Sequence, residues 1–520
     1  MPFLVFIIKS TNDKNLNYKV KVMQISYKVL QRYIKDIKSP EKVAQDLIMH
    51  TAEVEEIVEQ WENLKDVFVG KILEVKKHPD SEKLKICKIT VLWKENQIVW
   101  WAFNVKVGLK FLVAVLWAKL APDFEIKKAK IRWVESEWMI CSEDELWLIE
   151  ERQKWILILP DDVRTDTCMR EYLNKDDVIL EVDNKAIKHR TDMFSHIWVI
   201  KELYAINWEK FEYDYSKRDF SDLPDLWIEN EIPGIVSRYM GLDVKWVKNI
   251  ESPDYIKDVL ASAWIASKWL LIDITNYCLY LYGQPTHCFD ADKVEWNITI
   301  RFAKDWEDFV GLNDKEYKLT QEDIVIADEK SVLALGGVIW GKYSAVGEDT
   351  RNIIIESAHF DQAFVRKTWK RLWVRTDSLN VFEKDLVNWI QHSGMSLIVD
   401  ELEKNINWIE LVRYSYVYPV KQKEVTIPFD LDFINNLIWS KYNKDESLEI
   451  LENLGIKEKN NELVIPFWRK DLNFKADIAE EISRIKWYDE IESTVPRINL
   501  WAIKQTNIYK LKNETINFFT

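Results

Sequence analysis

Tryptophan stands at the turns of this chain, and so large a side chain at a turn restricts how the backbone can fold. In KIRWVESEWMICSEDELWL (130–148), Trp133, Trp138 and Trp147 are spread through a charged run at spacings of five and nine residues. Such spacings turn successive rings to different sides of a helix and to opposite faces of a strand, so no regular element buries all three. Three readings follow: scattered core aromatics, a platform on which single-stranded nucleic acid stacks, or positions whose backbone calls for another residue. Composition bears on the choice. The 520 residues include 26 Trp and 12 Gly, where an ordinary protein of about 7% glycine would carry roughly 36. Taken together, the two types fill an ordinary glycine share. Indoles also fall where turns want glycine, at Trp100-Trp101 after an apolar strand, at Trp373 in a basic stretch and at Trp487 between Lys and Tyr. We therefore expect most of these Trp to stand for Gly, as happens when the codon UGA, glycine in some bacterial codes, is translated as Trp.

A chain of this length has room for roughly three to five domains. With 47% hydrophobic and 30% charged residues it reads as a globular protein, and a net charge of −14 argues against a general polyanion binder. A local basic face is still available in AKLAPDFEIKKAKIR, where Lys119, Lys127, Lys128, Lys130 and Arg132 cluster; it reads either as a solvated strand or as a nucleic-acid contact. Five cysteines without a CxxC pair fit a reducing cytoplasm. The longest apolar run, PFLVFII at residues 2–8, is too short to cross a membrane and lacks the flanks of a signal peptide. Residues 1–22 read as an upstream extension, and the ending INFFT reads as that of a fragment.

MQISYKVLQRYI (23–34) is expected to form a strand then a helix, and SPEKVAQDLIMHTAEVEEIVE (39–59) opens a second helix at Ser39-Pro40. From Val67 to about Pro160 the pattern shifts to short β-rich runs such as VFVGKILEVKKH, LKICKITV and KFLVAVL, which predicts a small closed barrel. A helical segment around Phe194 to Tyr204 precedes a long α+β region from about Phe211 to Tyr414. Residues 424–488 then read as strand, helix, turn at Gly455, strand and a final acidic helix. On that helix Asp477, Glu480 and Glu481 project from one side, with Asp471 about two turns earlier. Oxygen-only ligands suit Mg²⁺, and a solvated acidic face is the plainer reading of the same spacing. His287 in GQPTHCFD, taken alone, reads as a satisfied core or turn histidine.

At HPDSEKLKICKITV, QIVWWAFNV and KIRWVESEWMICSEDELW the chain resembles the bacterial phenylalanine-tRNA ligase (phenylalanyl-tRNA synthetase) beta subunit, and the resemblance runs from Met23 to Thr520. That family has glycine at the positions of Trp133, Trp138 and Trp147, and likewise at Trp100 or Trp101, Trp117, Trp340, Trp373 and Trp487. By contrast Trp468, in PFWRKD, matches a family tryptophan. The resemblance implies a multidomain α+β architecture. An N-terminal unit (23–61 with 152–208) surrounds an inserted OB-type tRNA-binding barrel (62–151). An editing domain (209–412), a small Mg-bearing domain (413–488) and the truncated start of a class II synthetase catalytic-like domain (489–520) follow.

The resemblance also implies roles. Asp471, Asp477, Glu480 and Glu481 match the family's Mg²⁺ site, shared with the alpha subunit. Thr275, Asn276, His287, Gly337, Glu356 and Thr376 match its editing pocket, where mischarged tyrosyl-tRNA is hydrolysed. An apolar synthetic pocket that accepts Phe rejects an isostere with one added hydroxyl only weakly, by something like 10²-fold, so a second, hydrolytic site is needed. Glu356 is assigned the reading of the tyrosyl hydroxyl, Thr275, Asn276 and the backbone near Gly337 the holding of the ester, and His287 the positioning of ester or water. One departure is IASKWLL before DITNY, where family members carry a polar Arg-Pro-type segment. Lys127, Lys128, Lys130 and Arg132 are expected to meet tRNA phosphates.

The expected function is that of the beta subunit of an α₂β₂ ligase, cytoplasmic, with tRNA(Phe) and an alpha subunit as partners and no contact with DNA or membranes. No motif of these residues supplies ATP binding or adenylation, which the family places on alpha. The alternatives are a stand-alone tRNA-binding or trans-editing protein, and a scaffold with a decayed pocket.

Overall fold

The computed structural model describes residues 23–519 except 62–63, 101–103, 122–123, 143–144, 147–155, 173–175, 184, 186, 214–217, 264, 296, 420, 422, 489–490 and 492–505. The expectations for residues 1–22, Trp101, Trp147 and 492–505 fall outside these. The first strand, Met23–Ser26, pairs antiparallel with Val178–Val182, which also pairs with Val54–Glu59. Two sequence-distant pieces thus share one sheet. Ser26 starts the helix Tyr27–Tyr33 by accepting a hydrogen bond from the Val29 N–H at 2.9 Å, and Ser39-Pro40 starts Pro40–His50 in the same way.

Between these pieces lies an antiparallel sheet ordered Met139–Ile140, Lys110–Ala114, Val67–His78, Ser81–Val91, Lys94–Trp100, with Ile158–Leu159 also on Lys110–Ala114. Its period of two fills two cores: Leu112 and Ala114 face one, Phe111 and Val113 the other. Among the described residues no strand ladder joins the two ends of this sheet. They meet through side chains instead, Val99 N–H donating to Ser136 Oγ at 3.2 Å and Gln97 Nε2 to the Glu135 carbonyl at 3.1 Å. The closed ladder expected of a barrel is replaced by side-chain stitching at the hairpin of Ala129–Ile131 and Val134–Ser136.

The largest region is built on a four-stranded antiparallel sheet ordered Thr286–Asp290, Asn352–His359, Arg238–Lys245, Glu410–Val417. One face (Met240, Leu242, Ile353, Ile355) packs against the helices Asp254–Ser262, Leu270–Tyr282 and Gln391–Asn405. The other (Tyr239, Phe289, Ile354, Ala358) packs against a second sheet ordered Ile228–Asn230, Ile298–Phe302, Ile324–Ala327, Val332–Leu335, Ile339–Trp340. The sheets approach closely at Gly241, where a Cβ would lie 2.4 Å from Ile228 Cδ1. A final unit places Val425–Pro428, Glu462–Ile465 and Lys457–Lys459 in a small sheet with Leu431–Ile438, Lys444–Asn453 and Lys475–Lys486. Its residues Ile478, Ile482 and Ile485 share a core with Leu47 and Ile197 of the N-terminal unit.

The backbone answers the opening question. Among the described residues twenty non-glycine positions have positive φ, and eleven are Trp: 61, 93, 117, 133, 208, 227, 246, 306, 373, 439 and 487. Trp373 (φ 55°, ψ 41°) and Trp439 (φ 60°, ψ 40°) end the helices Gln362–Leu372 and Leu431–Ile438 in the left-handed conformation that Gly283 (φ 77°, ψ 12°) adopts after Leu270–Tyr282. A Cβ makes that conformation costly, by roughly 1–2 kcal/mol. Trp133 (φ 72°) is 89% exposed, so its ring packs on nothing that offsets the cost. Trp138, by contrast, is buried in the insert's second core together with Trp100.

Candidate functional site

The helix Leu270–Tyr282 and the sheet-edge strand Thr286–Asp290 are joined by a short turn at Gly283, which sets the helix against the strand. Between them and the strand Ile339–Trp340 lies a cavity of about 260 Å³. Thr275, Asn276 and Leu279 line it from the helix, His287 from the strand, Trp340 from the second sheet and Ser378 from the turn that opens Asp377–Phe382. Three of the six expected pocket residues, Thr275, Asn276 and His287, therefore converge on one space. Glu356 is the antiparallel register partner of His287, which puts both on the face that meets the second sheet, but it is not among the side chains lining the cavity. Gly337 (φ 69°) turns the chain between Val332–Leu335 and Ile339–Trp340, and Thr376 Oγ1 donates to the neighbouring Val338 carbonyl at 2.7 Å. Those two residues support the wall behind the cavity and do not line it.

Burial governs the chemistry of this pair. It lowers the His287 pKa to about 3, so the imidazole is neutral at physiological pH, and it pushes the Glu356 carboxyl up to about 8. Both are nearly inaccessible, and among the described residues neither His287 Nε2 nor Glu356 Oε2 has a hydrogen-bond partner. Unpaired buried polar atoms carry a desolvation cost, which a ligand supplying the missing hydrogen bond removes. For Glu356, burial thus favours the protonated form.

The acidic helix does not hold the expected metal set. Arg469 donates to Asp471 at 2.7 Å and to Glu481 at 2.5 Å, and Arg484 adds a contact to Glu481 at 2.6 Å. Burial alone would raise the Glu481 pKa, but the two guanidinium groups outweigh it and hold it well below the usual range. Asp477 caps its own helix by accepting from the Phe474 N–H at 2.8 Å and the Asn473 N–H at 2.7 Å, and Glu480 is exposed. No group of three metal-ligating side chains converges among the described residues. Three of the four carboxylates already serve arginines or a helix end and Glu480 stands exposed, so the set as it stands does not fit Mg²⁺. Both arginines are visible in the sequence, Arg469 two residues before Asp471 and Arg484 three after Glu481, and sequence reasoning passed over them.

The basic cluster is a mixed one. Lys127 pairs with Glu125 at 3.0 Å, Lys128 with Glu137 at 2.6 Å and Glu135 at 3.4 Å, and Lys130 with Glu135 at 3.5 Å. Arg132 Nη1 donates to the Asp80 carbonyl at 2.6 Å. The hydrogen bond to Glu137, then the charge of Glu135, raises the Lys128 pKa. The expected basic edge is a hairpin on which three glutamates compensate much of the positive charge.

Comparison with known proteins follows the same order along the chain. Family models match the tRNA binding domain over residues 67–167, the B3/4 domain over 235–406 and the tRNA synthetase B5 domain over 427–488. Phenylalanine-tRNA ligase beta subunits of Fusobacterium nucleatum and Clostridium tetani are 34% identical over 502 residues and 31% identical over 486. These alignments take in 94% and 91% of this chain. The chain is a homologue of phenylalanine-tRNA ligase beta subunits along nearly its whole length. It spans 62% and 61% of the length of those two relatives. An N-terminal fragment of the phenylalanyl-tRNA synthetase beta subunit of Pyrococcus horikoshii superposes at a TM-score of 0.34 with 16% identity, over 60% of this chain and 88% of that one. That superposition is too loose to bear on the fold. In this beta-subunit homologue the His287 cavity lies wholly within the B3/4 match, the Ala129–Ser136 hairpin within the tRNA binding match and the Arg469 network within the B5 match. Among the described residues no helix is long and apolar enough to cross a membrane.

Proposed function

We propose that this chain works as the beta subunit of phenylalanine-tRNA ligase. It would assist an alpha subunit in the ATP-dependent attachment of phenylalanine to tRNA(Phe) in an α₂β₂ assembly in the cytoplasm, bind the tRNA, and hydrolyse mischarged tyrosyl-tRNA(Phe). ATP, with the Mg²⁺ that accompanies it, belongs to the alpha subunit's reaction, and no step of the hydrolysis passes through a metal. The OB-type barrel and the editing domain of this reading correspond to the stitched insert and the two-sheet region.

The observation that carries the editing reading is the convergence of Thr275, Asn276 and neutral His287 on one cavity, with the unpaired Glu356 behind the histidine. In the reaction a water oxygen attacks the ester carbonyl, the bond between that carbon and the terminal ribose oxygen breaks, and the ribose oxygen takes the water's proton. Tyrosine and free tRNA leave. His287 Nε2, neutral and unpaired, can accept a hydrogen bond from the attacking water, and the Thr275 and Asn276 side chains can hold the aminoacyl group. Glu356 offers the tyrosyl hydroxyl the partner it lacks. A phenylalanyl group leaves the acid unpaired, and sites that hydrogen-bond a substrate hydroxyl discriminate by as much as 10⁴–10⁵.

The test is hydrolysis of tyrosyl-tRNA(Phe) by the chain with Trp340 and by its Trp340→Gly variant, each with and without Glu356→Ala. Loss of hydrolysis on Glu356→Ala supports the assignment. Equal rates with and without it, or no hydrolysis by any variant, overturn the editing reading.

A further inference from the structure

The segment IASKWLL, which sets this chain apart before DITNY, places a cation at the mouth of the His287 cavity. Asp273, buried in the first turn of Leu270–Tyr282, accepts the Lys268 N–H at 2.9 Å, the Ser252 hydroxyl at 2.6 Å and the Ser267 hydroxyl. Two residues further on, the Leu270 N–H donates to the Ile250 carbonyl at 2.8 Å. The backbone that carries Lys268 is thus fixed to the helix, while its side chain lines the cavity from an exposed position.

Among the described residues Lys268 is the only charged residue lining this cavity. The interior is uncharged in the state burial favours, with a neutral imidazole at His287 and a raised carboxyl pKa at Glu356 behind it. Neighbouring lysines are already engaged: Lys293 pairs with Asp290 at 3.0 Å and donates to the carbonyl of Ala345, a lining residue, at 2.7 Å, and Lys342, two residues past Trp340, pairs with Asp314. For the Lys268 ammonium no carboxylate or carbonyl partner stands among the described residues.

A neutral cavity with an unpaired cation at its mouth fits a ligand whose buried end has no negative charge and whose anion lies a few bonds behind. The aminoacyl ester of a tRNA has that form, because its nearest anion is the 5′-phosphate of the terminal nucleotide, one ribose away from the ester. A lysine ammonium is a compact point charge suited to such a phosphate, and contacts of this kind position a nucleic acid without reading its sequence.

We infer that Lys268 binds the 5′-phosphate of the tRNA's 3′-terminal nucleotide and so sets the depth at which the aminoacyl ester meets Thr275, Asn276 and His287. The inference rests on the hydrolytic reading for its substrate class, but it concerns recognition of the phosphate and is read by binding.

The test uses two analogues in which tyrosine is joined by an amide, in place of the scissile ester, to 3′-amino-3′-deoxyadenosine, one with a 5′-phosphate and one with a 5′-hydroxyl. Calorimetric titration into the chain, Lys268→Ala and Lys268→Arg gives the ratio of the two affinities for each protein, and matching circular dichroism spectra establish that the variants fold. The expected result is a preference of the unsubstituted chain for the phosphate form by about fivefold at low salt, the size of one exposed ion pair, shrinking as salt is added. Lys268→Ala brings the ratio to about one, and Lys268→Arg keeps it. A ratio near one in the unsubstituted chain, a ratio that survives Lys268→Ala because both analogues weaken equally or not at all, or no binding of either analogue overturns the inference. Lys268-dependent preference in a chain that does not hydrolyse tyrosyl-tRNA(Phe) supports the phosphate contact and overturns the editing reading. Hydrolysis without that preference does the reverse, so the two fail separately.

Discussion

At the residue scale, backbone and burial assign opposite meanings to chemically identical side chains. Trp373 ends a helix at φ 55° and is 77% exposed, so its Cβ strains the turn while its ring packs on little. We expect Trp373→Gly to raise stability by about 1 kcal/mol, seen as a higher denaturant midpoint, and Trp373→Ala to gain far less, because alanine keeps the Cβ. Glu356 shows the same dependence on surroundings. Its folded pKa, about 8, lies above the ordinary 4.5, so the folded chain keeps a proton that the unfolded chain has released between those values. Its contribution to stability is full below about pH 4.5 and is lost as pH rises toward 8. We expect the stability difference between wild type and Glu356→Gln to shift against wild type by on the order of 3 kcal/mol between pH 5 and pH 8. Urea titrations at the two pH values measure it, and the buried histidines cancel in the difference. The mutual position of His287 and Glu356 was not legible in the sequence, since 69 residues separate two side chains that only strand register brings opposite.

At the element scale, the helix Lys475–Lys486 is a clamp. Arg484 reaches both Glu481 and Glu202, Arg190 reaches Glu202 at 3.1 Å, and Arg469 ties Asp471 to Glu481, all buried except the half-buried Asp471. The network joins the small domain to the N-terminal unit. Removing one member of a buried network strands the opposite charge, and we expect Arg469→Met to cost about 3–5 kcal/mol, measured by chemical denaturation. The acidic spacing of this helix was legible in the sequence and its pairing with arginine was not, because which cation meets a carboxylate is settled across the fold. The hairpin of Lys127, Lys128, Lys130 and Arg132 carries a parallel lesson. With Glu125, Glu135 and Glu137 already paired to the lysines, neutralising all four cations is expected to lower the salt slope of tRNA binding by about one. A fall of about four, in filter-binding measurements across salt concentrations, would show that the glutamates swing away when tRNA binds.

At the scale of the whole molecule, the N-terminal unit, one face of the two-sheet region and the small domain share one continuous apolar core, the space between the two sheets holds another, and the insert keeps two of its own. The insert is thus the part free to unfold separately, and limited proteolysis is the direct probe of that. In this arrangement Asp471 and Glu481 are neutralised by arginine. We expect chelation with EDTA to leave the unfolding midpoint of the chain unchanged, and a fall of several degrees in a thermal scan would mean that the carboxylates exchange arginine for metal.

The sequence by itself determined most element types and the family resemblance, and it marked Trp117, Trp133, Trp373 and Trp487 among the positions where the backbone turns left-handed. Each of these is written in local chemistry: caps at Ser26 and Ser39, the period of two in the strands, and residues at turns where only glycine is at ease. It also marked Thr275, Asn276 and His287, which the fold brings to one cavity. Only the tertiary structure decided that burial raises the Glu356 pKa, that Asp471 and Glu481 pair with Arg469, that Trp138 is packed while Trp133 is exposed, and that Trp340 covers His287. Those facts depend on desolvation and on contacts between segments far apart in the chain, and neither quantity exists until the segments meet.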